Sequence, residues 1–228
     1  MAMNNAVKTF RPHFWVSVDA PDHFLRSIWL DPTIMKFVPF FHSGKYIFNS
    51  DEWKFTGVRV GDCPNVIYFK QNDHFESRQF LTEYSLNWGN SKEHGGGLSV
   101  MLPAIRLLFI LGIRRVYLLG VDFKMDEKVK YHFEQERSGD SISRNNETFA
   151  KLAGWFDELR PIFEAQDFFI YNCNPESNLK AFNFVSFDKA VADVLAEFGR
   201  IDITRERTKG MYDTKFKDKQ MGVGRGCC

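Results

Sequence analysis

The residues best suited to chemistry gather around a triple glycine and the short strand that follows it. Glu93-His-Gly-Gly-Gly-Leu-Ser-Val leads into an apolar helix, so His94, Gly95, Gly96, Gly97 and Ser99 stand at a helix start. Consecutive glycines let the backbone approach a ligand closely, and the helix aims its unpaired N–H groups and positive dipole end at that ligand. An anion such as a phosphate suits this corner. After Gly112 the chain reads Arg115-Val-Tyr-Leu-Leu-Gly-Val-Asp-Phe-Lys124, which puts Asp122 at the carboxyl edge of a buried strand. Open α/β sheets bind ligands at that edge. Lys124, Arg137 and Arg144 offer cations to an anion or serve as ordinary solvated charges. His94 can act as a general base, since an imidazole titrates near neutrality, or hold a purely structural place. Asp122 and Asp126 are spaced to share a magnesium ion through a bound phosphate, and magnesium is the one cofactor suggested. Two other chemistries fit less well. His-Gly-Gly-Gly is like an esterase oxyanion loop, but Gly97-Leu-Ser-Val-Met101 lacks the second glycine of a nucleophile elbow. No Gly-x-x-x-x-Gly-Lys-Ser/Thr run exists either, which argues against a P-loop enzyme.

The elements that must position these groups alternate. His13 to Val18 reads as a short apolar strand ending at Asp19, and Pro21 and Asp22 open a helix with Phe24, Leu25, Ile28 and Trp29 at helical spacing. Thr33 to Phe41, Lys45 to Phe48 and Asn65 to Lys70 read as strands, and Gln71 to Glu93 as a loop-rich excursion. Leu98 to Leu111 is an apolar helix with Pro103 in its first turns, where a missing N–H costs least. Arg115 to Leu119 is a buried strand. Glu147 to Ala165 is a long amphipathic helix with Phe149, Leu152, Trp155, Phe156, Leu159 and Phe163 on its apolar side. Asn145 and Asn146 suit its N-terminal cap, or face a substrate from its start. Phe168 to Asn172 is a strand and Phe187 to Phe198 a helix. The expected fold class is α/β and Rossmann-like, with a mostly parallel sheet and helices on both faces. One domain covers 1–200, and 201–228 form a basic, polar C-terminal tail.

Composition narrows the function classes. The chain has 228 residues, 44% hydrophobic and 26% charged, enough for one sizeable core. A net charge of +1 argues against a dedicated nucleic-acid binder. No apolar run is long enough to span a bilayer, and the N-terminus lacks the order of a signal peptide, so the expected location is the cytoplasm. Cys63 and Cys173 stand alone without a zinc-ligand partner and read as reduced thiols. Cys227-Cys228 resembles a doubly prenylated end but reads more simply as part of a flexible tail. Nothing in the sequence specifies the oligomeric state, and a homo-oligomer stays open.

The order of Gly-rich turn, helix, Leu-Gly, strand, Gly-Val-Asp-Phe, Tyr-His-Phe and then Asn-Cys-Asn-Pro-Glu-Ser-Asn-Leu resembles the bacterial sialyltransferases of glycosyltransferase family 42. It is similar also to the domain family that includes the hydroxymethylpterin pyrophosphokinases. The resemblance runs from about Asn4 to Phe187 and is strongest between His94 and Phe182. It implies a nucleotide or nucleotide sugar in the crevice at the strand ends, and an acceptor beside it. Tyr131 matches the second of two family tyrosines that hold the departing phosphate, and Lys124 takes the place of the first. Asn174, Pro175, Ser177 and Leu179 match a segment lining the nucleotide pocket, and Asn5 matches the asparagine that ends the family's second strand. His94 to Gly97 match the turn before the central helix. By the same resemblance the pocket includes Asp19, Asp122 and Asn172. The family's opening strand and its Gly-x-Gly-Pro-Ser loop have no counterpart here. Its proton-accepting histidine has none either, because the matching segment reads Ser143-Arg-Asn-Asn-Glu147, which leaves His132 or His94 as the base. The reading is a glycosyltransferase-like transferase. The alternatives are a magnesium-dependent pyrophosphokinase-like phosphoryl transferase and a non-catalytic accessory protein that keeps the fold.

Overall fold

The computed structural model describes residues 1–8, 10–72, 76–82, 87–88, 99–126 and 139–198. Two compact units divide the chain, Met1–Val185 and one that begins at Ser186. The first unit holds two small parallel sheets. Strands β1 (Ala2–Met3), β2 (Phe14–Val16), β3 (Met35–Pro39), β4 (Tyr46–Asn49), β5 (Lys54–Arg59) and β6 (Val66–Phe69) come first in the chain. The first sheet has the order β1-β2-β3-β6 with every pairing parallel, and Met3, Val16 and Phe37 stand in register across it. The antiparallel hairpin β4-β5 lies outside that sheet. Two further pairs of residues, β7 (Gln71–Asn72) and β8 (Asn87–Trp88), run parallel to each other. The second sheet is built from β9 (Arg115–Leu118), β10 (Phe169–Asn172) and β11 (Asn183–Phe184), in the order β11-β10-β9, again all parallel.

Helix α1 (Arg26–Trp29) is a single turn, whereas α2 (Met101–Ile110) and α3 (Gly139–Glu164) carry the core. Sequence periodicity predicts one helix from Pro21. Instead a 3₁₀ turn over Pro21–His23 precedes α1, and Phe24 and Leu25 between them are extended. The extension brings the Phe24 ring edge-on to Trp15 at 5.2 Å, with Trp29 on the same indole at 5.1 Å. The Trp29 Nε1–H donates to the Pro21 carbonyl at 3.2 Å, so the turn closes on its own aromatic anchor.

Helix α2 is apolar on more than one side because it serves two cores at once. Its Ala104 and Leu107 pack with Val16, Phe37 and Phe69 of the first sheet. Its Met101, Leu102 and Ile105 pack with Val116, Leu118 and Ile170 of the second. Leu152, Phe156, Leu159 and Phe163 of α3, at helical spacing and almost fully buried, complete that second cluster. Each such side chain contributes roughly 2–3 kcal/mol of burial. On its other face the first sheet buries Trp15 and Val38 with Ile28, Ile34, Ile47 and Val60. The fold is therefore mixed α/β with small parallel sheets.

Lys36 is an exception to an apolar interior. Although it is fully buried on β3, its ammonium donates to the carbonyls of Asp31 at 2.6 Å, Pro64 at 2.8 Å and Ile34 at 3.0 Å. Three backbone acceptors replace the water it has lost, and burial pushes its pKa down.

The second unit contributes α4 (Phe187–Phe198), the helix expected from the sequence. Ser186 starts it, its Oγ accepting the Lys189 N–H at 3.3 Å, and Lys189 and Asp193 pair one turn apart at 3.0 Å. The tail at 201–228, with Cys227 and Cys228, lies outside the described residues. Among the described residues no helix is long and apolar enough to cross a membrane.

Candidate functional site

The chain leaves β9 through Leu119 and Gly120, and Gly120 has φ +66, a conformation in which a Cβ is strained. Val121 and Phe123 then turn into the core while Asp122 and Lys124 face outward. Phe123 also has a positive φ, +53. Packing offsets that strain, since its ring stacks on Phe149 at 5.2 Å and lies against Phe156 at 6.0 Å, both on α3. The segment 120–126 is thus bent at two points and fastened to the second core.

Three groups from the loop after β10 hold Asp122. Asn174 donates through Nδ2 to its carboxylate at 2.6 Å, while the Asn178 N–H at 2.9 Å and the Ser177 hydroxyl at 3.3 Å reach its carbonyl. The same loop is folded by its own side chains. Asn172 Oδ1 accepts the Asn174 N–H at 3.0 Å, Asn174 Oδ1 the Glu176 N–H at 2.9 Å, and Ser177 Oγ the Leu179 N–H at 3.1 Å. Asn172 and Ser177 are buried, with polar atoms engaged by the chain itself, so their observed work is to shape the loop. Burial pushes the neighbouring Cys173 thiol up in pKa, away from the thiolate form.

A second set of contacts comes from α3. Asn146 Oδ1 accepts the Met125 N–H at 2.8 Å and its Nδ2 donates to the Met125 carbonyl at 3.1 Å, while Asn145 Nδ2 lies 3.2 Å from the Met125 sulfur. Both asparagines sit inside α3, which starts at Gly139, and so neither is the helix cap that the sequence suggests. Between the two sets of contacts Lys124 is exposed at the lip of a cleft of about 500 Å³. Phe149, Ala153, Asn146 and Asn178 line it with Lys124. The cleft is lined by apolar side chains together with one cation and two amides.

The remaining predicted residues stand elsewhere. Asn5 and Asp19 follow β1 and β2 at the carboxyl edge of the first sheet. Asn5 donates to the His23 carbonyl at 3.0 Å, whereas its buried Oδ1 has no partner, and the same holds for Asn4 Oδ1 and Ser17 Oγ. Ser99 Oγ accepts the Met101 N–H at 3.1 Å and so starts α2. His94, Gly95, Gly96, Gly97, Tyr131, His132 and Arg137 lie outside the described residues. The structure joins Asp122, Asn172, Asn174 and Ser177 in one loop pair, with Lys124 beside them. Asp126 is described, and among the described residues no group of three His, Cys, Asp or Glu side chains is placed to hold a metal ion.

Sequence reasoning missed His42, and it placed Asn146 at the helix cap or facing a substrate rather than on Met125. His42 is buried with Nε2 3.1 Å from the Val18 carbonyl and Nδ1 unpartnered, and burial lowers its pKa to about 4. A histidine after Phe40-Phe41 gives no local hint of that. Asn146 had a usable signal: asparagine is poor inside a helix, so an Asn pair within a helical stretch marks another task.

Comparison of the chain with protein-family models, with curated proteins and with solved structures finds no match.

Proposed function

We propose that the chain binds a nucleotide or nucleotide sugar at the carboxyl edge of a Rossmann-like arrangement and acts as a glycosyltransferase-like transferase. The observation that carries this reading is the pinned segment 122–126, which holds Lys124 exposed beside a cleft at the carboxyl end of a parallel strand. Strand order adds support. From β1 the first sheet grows outward to β2, β3 and β6, and from β9 the second grows to β10 and β11. Doubly wound folds reverse in this way on either side of a switch point, where their ligands bind. Met3 of β1 packs against the cores of both sheets, as α2 does, which suits a reversal between β1 and β9.

In this reading Lys124 faces the phosphate of the donor. Its charge matters most as the glycosidic bond breaks and negative charge gathers on the leaving phosphate. The resemblance adds Tyr131 beside the same phosphate and His132 or His94 to take the acceptor proton. Asp122, held by Asn174, anchors the chain just before the cleft-lining Phe123 and Lys124.

A charged contact to phosphate is worth roughly 1.5–3 kcal/mol, so Lys124→Ala should weaken nucleotide binding by about tenfold to a hundredfold with an unchanged melting temperature. Isothermal titration with cytidine and uridine nucleotides reads the affinity, and a nucleotide-release assay with candidate acceptors reads turnover. Unchanged affinity in Lys124→Ala would remove the phosphate role. Tight binding by the wild type without release in any acceptor mixture would exchange the transferase for a nucleotide-binding accessory protein.

A further inference from the structure

The long helix begins well before its apolar stripe, and its early turns contain two asparagines that helix propensity disfavours. The geometry gives one of them a task. Asn146 uses both ends of its amide on one residue of the loop opposite, accepting from the Met125 N–H at 2.8 Å and donating to the Met125 carbonyl at 3.1 Å. A side chain here imitates a strand neighbour. One turn along α3, Phe149 stacks on Phe123. Residues 123 and 125 are therefore gripped by the same helix, and Lys124 between them is left facing the cleft that Asn146 and Phe149 also line. The hydrogen bonds to Asp122 fix the segment from the other side. An exposed lysine ordinarily loses much rotamer and backbone freedom when it meets a phosphate. Here the backbone share of that loss is met when the protein folds.

We propose that Asn146 is a positioning residue, which sets the Lys124 ammonium over the cleft and thereby raises affinity for a phosphate that Asn146 itself need not touch. This inference rests on the nucleotide-binding reading of the site. It differs from a merely stabilising role for Asn146 in one respect: its effect on binding passes through Lys124, so the two residues must be energetically coupled.

The test is a double-mutant cycle on the full chain with cytidine monophosphate and uridine diphosphate as probes, read by isothermal titration. Asn146→Ala should weaken binding about tenfold in the wild-type background and less than twofold in the Lys124→Ala background. Amide hydrogen exchange on the ligand-free protein accompanies it. Met125 should exchange slowly in the wild type and fast in Asn146→Ala, with the protection of α3 around Leu152 to Leu159 retained, since alanine favours helix. Asn146→Asp, which keeps an acceptor for the Met125 N–H but loses the donor, should fall between the two in both measurements. Equal losses in the two backgrounds, or an Asn146→Ala protein that binds as the wild type does, would overturn this inference alone. A wild type that takes up neither nucleotide overturns the reading of the site and this inference with it.

Discussion

At the scale of single residues, two buried basic side chains show how the environment sets a role that residue type does not. His42 is neutral when folded, because burial lowers its pKa from 6.5 to about 4. Between those values the unfolded chain binds a proton that the folded chain refuses, so stability is lost as the pH falls through that window. The full shift corresponds to roughly 3 kcal/mol. Urea denaturation at pH 7 and pH 4.5 should therefore show a steeper loss for the wild type than for His42→Asn, and parallel losses would show that His42 is not the group responsible. Lys36 poses the opposite case, a buried charge met by three carbonyls. Lys36→Ala removes all three donations and leaves the Ile34 carbonyl buried without that partner, so it should cost about 3 kcal/mol. A loss under 1 kcal/mol by the same denaturation would mean that water replaces the ammonium. Residue identity alone exposed neither role: a lysine in Met35-Lys-Phe-Val-Pro39 looks like the polar position of a strand.

Elements were legible where periodicity was strong and displaced where tertiary contacts competed. Leu152, Phe156, Leu159 and Phe163 announce α3, and burial bears them out. The start of the helix was not legible, because Gly139 to Asn146 has poor propensity and no apolar stripe. Contacts to Met125 hold part of that start, and they come from a residue remote in sequence. Strand β5 was missed for a related reason: Lys-Phe-Thr-Gly-Val-Arg carries a glycine and two charges and is largely exposed, so only pairing with β4 defines it. The helix predicted from Pro21 breaks because Phe24 and Trp29 both seek Trp15. The packing of α3 can be tested directly. Phe156 is fully buried and touches Phe123 and Phe182, so Phe156→Ala should destabilise by about 3–5 kcal/mol. Since Phe123 anchors the 120–126 segment, the same variant should speed amide exchange at Asp122 and Lys124 at temperatures where the protein is still folded. Unchanged exchange there would show that the segment is held without α3.

For the whole molecule, two small parallel sheets share one helix, and each sheet presents polar residues where its strands end. A ligand at either edge would bind the folded state alone and stabilise it by mass action. At a hundred times its dissociation constant a nucleotide should add about 2.7 kcal/mol, which for a chain of this length raises the melting temperature by about 5–10 °C. A thermal-shift screen of nucleotides and nucleotide sugars, with and without magnesium, reads that effect. A response that appears only with magnesium would favour the phosphoryl-transferase alternative, and no response to any nucleotide would end the nucleotide reading.

The sequence by itself determined the mixed α/β character, the apolar faces of α2 and α3, and the placement of Asp122 and Lys124 just past a buried strand. Those follow from local patterning, which side chains express over one or two turns or a few strand residues. Tertiary structure alone decided that Asn174 and Ser177 reach Asp122 and that Asn146 closes on Met125. Each of these is a choice among hydrogen-bond partners far apart in the chain. Asparagine, serine and lysine have similar local preferences whether they face a ligand, water or a distant carbonyl, so only the packing that brings those partners within 3 Å or so tells the three apart.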